Sequence, residues 1–467
     1  MMDEKLLEKI DRKIEAARGA VVADTIRFIN IKSVNEASTP GAPFGKGAKA
    51  MLDEFYRTAK EDGFAVCDYG VGVVSAAMKD APIDLGIWLH GDVVPEGEGW
   101  SFPPYDAREY RGCIIGRGAC DNKGQLAAAY NLFKIFDKLG IKLNYNAAIY
   151  LGSDEESGKR DVTGIEGNPD AKGFINVATP PTLSLVPDSG FPVAYGGFGS
   201  LIVKVKSKAP LSCCDITAGS SSAPGLATAR FNADLAISQV PDKCEMPDGR
   251  TLTAYTPPRH GTRPDPMGNM ITIISRAVID LPCATDADKQ MLAVIRDLSL
   301  DIYGEWHPVV NKNDKFTRLV VYPKAVDMQG GCPELTLTIR YPYGFTFDGI
   351  VGALSEYAEA HGYEISYSKP IASSYQNEKD TPIVKALTDI ANDICGAEKE
   401  PYVVTGGTYA HVLPNAYAYG TDSNVPPADF PKGRGGAHGV DEAASVDRLL
   451  RMMRIYARAL LSLEDLL

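Results

Sequence analysis

The sequence lacks the features that usually serve nucleic-acid or membrane binding. Its 467 residues have a formal net charge of -12 and no run of Lys and Arg, the residues that nucleic acids and anionic membranes attract. No apolar stretch is long enough to span a bilayer. The N-terminal segment is charged and amphipathic, so we expect no signal peptide. These absences argue against nucleic acid and membrane as partners.

Cysteine occurs nine times, but its spacing provides neither a metal motif nor a disulfide motif. No Cys-x-x-Cys pair occurs, and an odd number of cysteines is untypical of a disulfide framework. We therefore predict free thiols in a reducing cytoplasm. Cys120 directly precedes the candidate functional residue Asp121, and we interpret it as a small buried side chain.

The distribution of apolar residues predicts two domains. The chain is longer than one hydrophobic core usually serves. Over 83–192, apolar strands alternate with helical periodicity, which is typical of an α/β fold with a mostly parallel sheet flanked by helices. Residues 193–372 carry short β-like runs and loops rich in Pro, Gly and Ser, and helical periodicity then returns. We predict a main domain from 1–192 and 373–467, with an inserted α+β domain at 193–372.

Side chains that bind metals follow the predicted strands. The carboxyl ends of parallel strands meet at one edge of a sheet, so these side chains should lie together. Imidazoles and carboxylates without a thiolate pair suit zinc, manganese or cobalt. Each residue alone has an ordinary interpretation, such as a helix N-cap or a solvated turn, and only the set favours a metal site. Five follow strands and two stand in glycine-rich loops: His90, Asp92, Glu155, Glu156 and Asp188, then Asp121 and His438.

The spacing within these segments suggests separate roles. Asp92 lies two residues after His90 and can fix the orientation of the imidazole. Glu155 and Glu156 are adjacent after a strand and therefore point in different directions. One carboxylate can bind metal while its neighbour takes a proton from water, which is the chemistry of a hydrolase.

Three further places are candidates for substrate contacts. His260 lies in a Pro- and Arg-rich loop of the inserted domain, and by itself it would be an exposed loop histidine. Arg340 closes an apolar strand, where its guanidinium can hold a carboxylate or form a structural salt bridge. Gly406 and Gly407 belong to a glycine-containing loop shortly before the last part of the chain.

Five segments resemble, in family order, the motifs of the co-catalytic metallopeptidases, which include aminoacylases, glutamate carboxypeptidases, deacylases and dipeptidases. The segments are His-Gly-Asp-Val-Val-Pro (90–95), Gly-Arg-Gly-Ala-Cys-Asp-Asn-Lys-Gly (116–124), Gly-Ser-Asp-Glu-Glu-Ser-Gly (152–158), Pro-Asp-Ser-Gly-Phe-Pro (187–192) and Gly-Ala-His-Gly-Val-Asp-Glu (436–442). The resemblance implies two divalent metal ions. Zinc is the expected metal, with manganese and cobalt as alternatives.

The resemblance also implies a role for each matching residue. Asp121 would bridge the metals and be followed by a cis peptide bond to Asn122. The implied metal ligands beside it are His90 and Asp188 for one ion, and Glu156 and His438 for the other. The other implied roles are Glu155 as general base, Asp92 as the partner that orients His90, His260 at the tetrahedral intermediate, and Arg340 with Gly406 and Gly407 at the substrate's C-terminus.

The long insertion is similar to the enlarged lid domain of bacterial dipeptidases of the PepV type. In those enzymes one chain supplies what a dimer partner supplies elsewhere, so the resemblance implies a monomer that cleaves dipeptides or short peptides. An N-acyl amino acid deacylase or a carboxypeptidase of the same family is the alternative. A binding protein without catalysis is a further alternative, although it would have no need of a general base.

Overall fold

The chain divides into two compact units. In this computed structural model the described residues are 3–467, except 166, 169, 220–225, 236–239, 256–268, 315–317, 422–429 and 432. The first unit comprises Met1–Gly196 and Gln376–Leu467, and the second, Gly197–Tyr375, is an insertion in it. No helix among the described residues is long and apolar enough to cross a membrane.

The N-terminal segment of the first unit supplies most of its sheet and several covering helices. Asp3 begins the first helix by accepting a hydrogen bond from the backbone N–H of Lys5. The helices are α1 (Glu4–Ala16), α2 (Arg18–Ile29), α3 (Lys46–Glu61), α4 (Gly124–Leu139), α5 (Arg160–Thr163) and α6 (Phe174–Val177). The strands are β1 (Ala65–Asp68), β2 (Val74–Ala77), β3 (Leu85–His90), β4 (Arg108–Tyr110), β5 (Cys113–Ile115), β6 (Ala147–Gly152), β7 (Leu183–Val186) and β8 (Val193–Gly197).

The second unit is an α+β fold built on one antiparallel sheet. Its strands are β9 (Gly199–Ser207), β10 (Cys214–Ala218), β11 (Leu226–Phe231), β12 (Cys244–Glu245), β13 (Thr251–Tyr255), β14 (Val320–Gln329), β15 (Cys332–Tyr341) and β16 (Tyr363–Ala372). Its helices are α7 (Met270–Ile279), α8 (Asp286–Leu300) and α9 (Phe347–Ala360). The sheet order is β12-β13-β11-β10-β14-β15-β9-β16. Burial alternates along β9, so one face of the sheet forms the core of this unit with the helices.

The chain then returns to the first unit. The short strand β17 (Tyr375–Gln376) is followed by α10 (Pro382–Cys395), β18 (Tyr402–Val404), β19 (Ala416–Tyr419), β20 (Ala443–Ser445) and α11 (Val446–Ser462). Helix α10 begins with Pro382 directly after the capping residue Thr381, and α11 buries one side against the same core as α4. This segment completes both the sheet and its helical cover.

The main sheet of the first unit is parallel at its centre and antiparallel at its edges. The order is β1-β2-β6-β3-β7-β19-β8-β17, with β18 beside β8. Strands β6, β3, β7 and β19 run parallel, whereas β2 and β8 pair antiparallel with their neighbours. Strands β3 and β6 are buried along their whole length, which explains their continuous apolar sequences. The predicted α/β fold with a mostly parallel sheet and an inserted α+β unit is confirmed.

Candidate metal centre

His90 lies at the carboxyl end of β3, opposite a glycine on the neighbouring strand that leaves room for the Tyr409 hydroxyl. In the parallel register His90 is opposite Gly152 on β6, and Trp88 is opposite Tyr150. The Trp88 and Tyr150 rings stack with centroids 4.3 Å apart, on the same face of the sheet as the His90 side chain. A side chain at Gly152 would collide with the Tyr409 hydroxyl. The position therefore requires glycine.

Asp121 is presented by a wide helical turn, Ala119–Lys123, directly before α4. The peptide bond between Asp121 and Asn122 is cis, as the family resemblance implied. The Asn122 side chain donates a hydrogen bond of 3.0 Å to the carbonyl oxygen of Pro187, the residue before Asp188. This contact ties the turn that carries Asp121 to the strand end that carries Asp188.

Five of the predicted residues form two groups that share Asp121. The donor atoms of His90, Asp121 and Asp188 lie within 4.8 Å of one another, and so do those of Asp121, Glu156 and His438. The Nε2 atom of His90 is 3.0 Å from one Asp121 oxygen, and the Nε2 atom of His438 is 3.2 Å from the other. One oxygen of Asp121 thus faces each group, which is the arrangement of a bridging carboxylate.

The electrostatics of the groups suit divalent cations. Burial acts to lower the pKa of His438, but its contacts with Asp121 and Glu156 raise it to about 11. Burial and the charge of Asp121 raise the pKa of Glu156 to about 7 and that of Asp188 well above its usual range. Carboxylates this close disfavour each other's charge, and a divalent ion would relieve that repulsion. Mixed imidazole and carboxylate donors fit zinc, manganese or cobalt.

Asp92 holds the loop that carries the two adjacent glutamates. Its fully buried carboxylate accepts the backbone N–H of Glu155 at 3.2 Å and that of Glu156 at 3.0 Å. The Nδ1 atom of His90 is 3.0 Å from the backbone oxygen of Asp92 and 3.6 Å from its carboxylate. Asp92 therefore lies beside His90, and its carboxylate also fixes the direction of the acidic loop, which the sequence pattern did not indicate.

Glu155 is close to the metal groups but belongs to neither. It is 6% exposed, and its charge contributes to the raised pKa of Asp188. The Nζ atom of Lys159 lies 3.0 Å from Glu155 Oε1. A carboxylate near two candidate metal positions, yet outside both donor groups, remains available for proton transfer.

Comparison with known proteins identifies the family. The family model for peptidase family M20/M25/M40 matches residues 87–462. The chain belongs to this family. YtjP from Bacillus subtilis (strain 168), provisionally named a dipeptidase, is 26% identical over 483 residues that cover 95% of this chain and 97% of YtjP. The predicted family and the prediction that the protein is a hydrolytic enzyme, a peptidase, are both confirmed.

The fold is also similar to those of two dipeptidases of known structure. Human carnosine dipeptidase 1 superimposes with a TM-score of 0.59 at 15% identity, covering 98% of this chain and 99% of that protein. The dipeptidase Dug1p from Saccharomyces cerevisiae gives a TM-score of 0.58 at 13% identity, covering 98% of both chains. At these identities the likeness concerns the fold.

In this M20 peptidase, a buried carboxylate links the acidic loop to the loop around Tyr409. Asp161 accepts hydrogen bonds from the Ser153 backbone N–H at 2.7 Å and from the Tyr409 hydroxyl at 2.5 Å. Burial raises the pKa of Asp161 to about 7, against the opposing effect of the Tyr409 hydrogen bond. Sequence reasoning missed this pair, because its members are 248 positions apart.

A second buried pair joins the segments that carry Asp121 and His438. Arg117 Nη1 donates to Glu442 Oε2 at 2.5 Å, and both side chains are almost fully buried. The other Glu442 oxygen accepts the backbone N–H of Cys120 at 3.0 Å, and Arg117 Nη2 donates to the backbone oxygen of His438 at 3.3 Å. Both residues stand within family-like segments of the sequence, but their pairing could not be read from it.

The predicted substrate-contact residues lie in different parts of the chain. His260 lies outside the described residues. Arg340 lies on β15 of the second unit, where burial lowers the pKa of its guanidinium. Gly406 and Gly407 lie in the first unit, and a Cβ at Gly407 would be 3.6 Å from the Lys159 ammonium. The roles of all four residues stay predictions.

Proposed function

We propose that this M20 peptidase is a dipeptidase that uses two divalent metal ions. The observation that carries the proposal is the pair of donor groups that share Asp121. His90 and Asp188 would complete the site of one ion, and Glu156 and His438 that of the other. Zinc is the proposed metal, with manganese and cobalt as alternatives. A relative along nearly the whole chain is provisionally named a dipeptidase, which supports the substrate class.

Two divalent ions at these groups would polarise the scissile carbonyl and lower the pKa of water. Glu155 takes a proton from the attacking water as the oxygen–carbon bond forms. It then gives that proton to the leaving amine as the carbon–nitrogen bond breaks. Asp92 keeps the Glu155 backbone in place through the N–H bond already described. His260 would stabilise the tetrahedral intermediate.

The substrate's free C-terminus is the group that distinguishes a dipeptidase from an endopeptidase. We propose that Arg340 and the backbone around Gly406 and Gly407 hold this carboxylate, because a guanidinium forms paired hydrogen bonds with it. The inserted unit would act as a lid. We also propose that the protein works as a monomer in the cytoplasm. Its nine cysteines, all within the described part of the chain, form no disulfide bond, which fits a reducing compartment.

The test compares substrates and metals in one assay. Metal-stripped protein is mixed with zinc, manganese or cobalt and offered a panel of dipeptides and matched N-acetyl amino acids. Metal-dependent cleavage of free dipeptides alone would support the proposal. Cleavage of the acylated substrates would instead identify a deacylase or carboxypeptidase, and the absence of hydrolysis with every metal would favour a binding protein.

The role of Glu155 is tested in the same assay. The variant Glu155→Gln should lower kcat by about 100-fold to 10,000-fold, the usual contribution of a general base, while metal content is retained. The exposed Glu398→Gln is the matched control and should behave as wild type. Near-normal turnover of Glu155→Gln would show that another group accepts the proton.

A further inference from the structure

Lys159 is a partly buried cation that has no role in the proposed reaction described so far. Its Nζ atom lies 3.0 Å from the Glu155 carboxylate and donates a hydrogen bond of 3.2 Å to the Glu155 backbone oxygen. Its side chain is 17% exposed. The ammonium thus contacts Glu155 twice, through a hydrogen bond to its backbone oxygen and an ion pair with its carboxylate. It also lies near Gly407, where a Cβ would be 3.6 Å from it.

The backbone at Lys159 is arranged to bring the ammonium back to Glu155. Lys159 has a φ of 60°, in the left-handed region that lysine rarely adopts. Its N–H donates to the Asp154 carbonyl oxygen at 2.6 Å, which closes a tight turn after Glu155 and Glu156. Because a lysine in this conformation costs stability relative to glycine or asparagine, the ammonium rather than the turn accounts for lysine here.

The net charge of the site also favours a cation at this position. The buried or nearly buried carboxylates at the centre are Asp92, Asp121, Glu155, Glu156 and Asp188. Two divalent ions would offset four of these five negative charges, and Lys159 offsets the fifth. The charges of Glu155, Asp188 and Glu156 all act on Lys159, so its ammonium lies within the field of these three carboxylates.

We propose that Lys159 is a positioning residue for the general base: its ammonium fixes the Glu155 carboxylate beside the metal pair without binding metal itself. This inference rests on the proposed function. Lys159 restrains the carboxylate between its own ammonium and the adjacent metal groups, so that Glu155 meets the attacking water in one orientation. A displacement of about 1 Å at such a position can cost about 100-fold in rate.

The experiment uses the metal-loaded full-length protein and two readouts, dipeptide hydrolysis and metal affinity by chelator competition. The variants are Lys159→Met, Lys159→Asn and Lys159→Arg, with the exposed Lys172→Met as the matched control. Asparagine tolerates the left-handed backbone, so Lys159→Asn removes the ammonium while it retains the turn. Methionine retains most of the length of the side chain without the charge.

The expected result is a fall in kcat of about 10-fold to 100-fold in Lys159→Met and Lys159→Asn, with KM within about twofold of wild type. Metal affinity should stay equal or increase, because a cation has left the vicinity of the metals. Lys159→Arg, which retains the charge, should recover part of the rate. A residue that only supported the fold of the loop would instead weaken metal binding as kcat falls.

Three outcomes would overturn the inference. Wild-type kcat in Lys159→Asn would show that the ammonium is not needed, and metal affinity that falls in parallel with kcat would assign a structural role. A raised KM with unchanged kcat would make Lys159 a substrate anchor instead. A wild-type protein that hydrolyses no dipeptide would overturn the proposed function itself, which separates that failure from the others.

Discussion

Replacing Glu442 with alanine would leave the Arg117 guanidinium charged and buried without its partner. Arg117 is 1% exposed and Glu442 is not exposed at all, so the guanidinium is shielded from bulk solvent. Loss of one partner of a buried ion pair costs about 3–5 kcal/mol. The Cys120 N–H loses its acceptor as well. We therefore expect Glu442→Ala to lower the free energy of unfolding of the first unit by about 3–5 kcal/mol.

The measurement must report on the first unit alone, because a protein of two units need not unfold in one step. The chain has three tryptophans, and Trp306 lies in the second unit. In a Trp306→Phe background the fluorescence of Trp88 and Trp100 follows the first unit. Urea unfolding of metal-free protein then gives the free energy without a contribution from bound metal.

A double variant separates stability from site geometry. Arg117→Met combined with Glu442→Met removes both charges, and such replacements are often neutral or stabilising. Its stability should return to within about 1–2 kcal/mol of wild type. Metal affinity of the double variant should be lower than that of wild type, because the Cys120 N–H and the His438 carbonyl oxygen both lose the contacts that place Asp121 and His438.

The control is Asp447→Ala, which removes one of the two acidic partners of Arg18, in an exposed ion pair of 2.7 Å. Its effect should stay below about 1 kcal/mol, as for most surface pairs. If Glu442→Ala were no more destabilising than this control, the buried pair would not hold the two loops. If the double variant bound metal as wild type does, the ligand positions would not depend on the pair.

Two further predictions concern the metal ligands and the loop network. Asp121→Asn should reduce bound metal from about two ions per chain to less than one, whereas Asp188→Asn should retain about one, because Asp121 belongs to both groups. Elemental analysis after dialysis measures the metal content of both variants. Equal losses in the two variants would argue against a shared ligand. Tyr409→Phe removes the hydroxyl that donates a hydrogen bond to Asp161. In the same urea assay this variant should lower the free energy of unfolding by about 1–3 kcal/mol. An unchanged free energy of unfolding would mean that the buried Asp161 carboxylate does not need this donor.

The parts of the site that could be predicted follow from the sheet. The parallel strands β3, β6 and β7 were visible as apolar runs, and their carboxyl ends bring His90, Glu156 and Asp188 to one edge. Asp121 and His438 each follow a glycine-rich segment, and no predicted strand leads directly to either residue. Their inclusion depended on the motif resemblance, since a periodic pattern says nothing about where such loops fold.

The supporting contacts could not be predicted, because they join distant positions through side chains. Asp161 and Tyr409 are 248 residues apart, and Arg117 and Glu442 are 325 apart. Lys159 is only four residues after Glu155, but that spacing indicates a contact only within a helix. Here the turn at Lys159, with its positive φ, makes the contact, and the sequence gives no sign of that backbone conformation.

The network around the site places its ligands through contacts that do not involve metal. The Asp92 carboxylate fixes the loop of Glu156 through two backbone N–H groups, and Asn122 ties the turn of Asp121 to the strand end of Asp188. Because protein contacts hold these elements, little ordering is left to accompany metal binding, and more of the binding free energy is retained as affinity. The repulsion among carboxylates that this scaffold imposes is then relieved by the cations. The hydrogen bonds that hold the carboxylates close together in the metal-free protein would therefore strengthen metal binding.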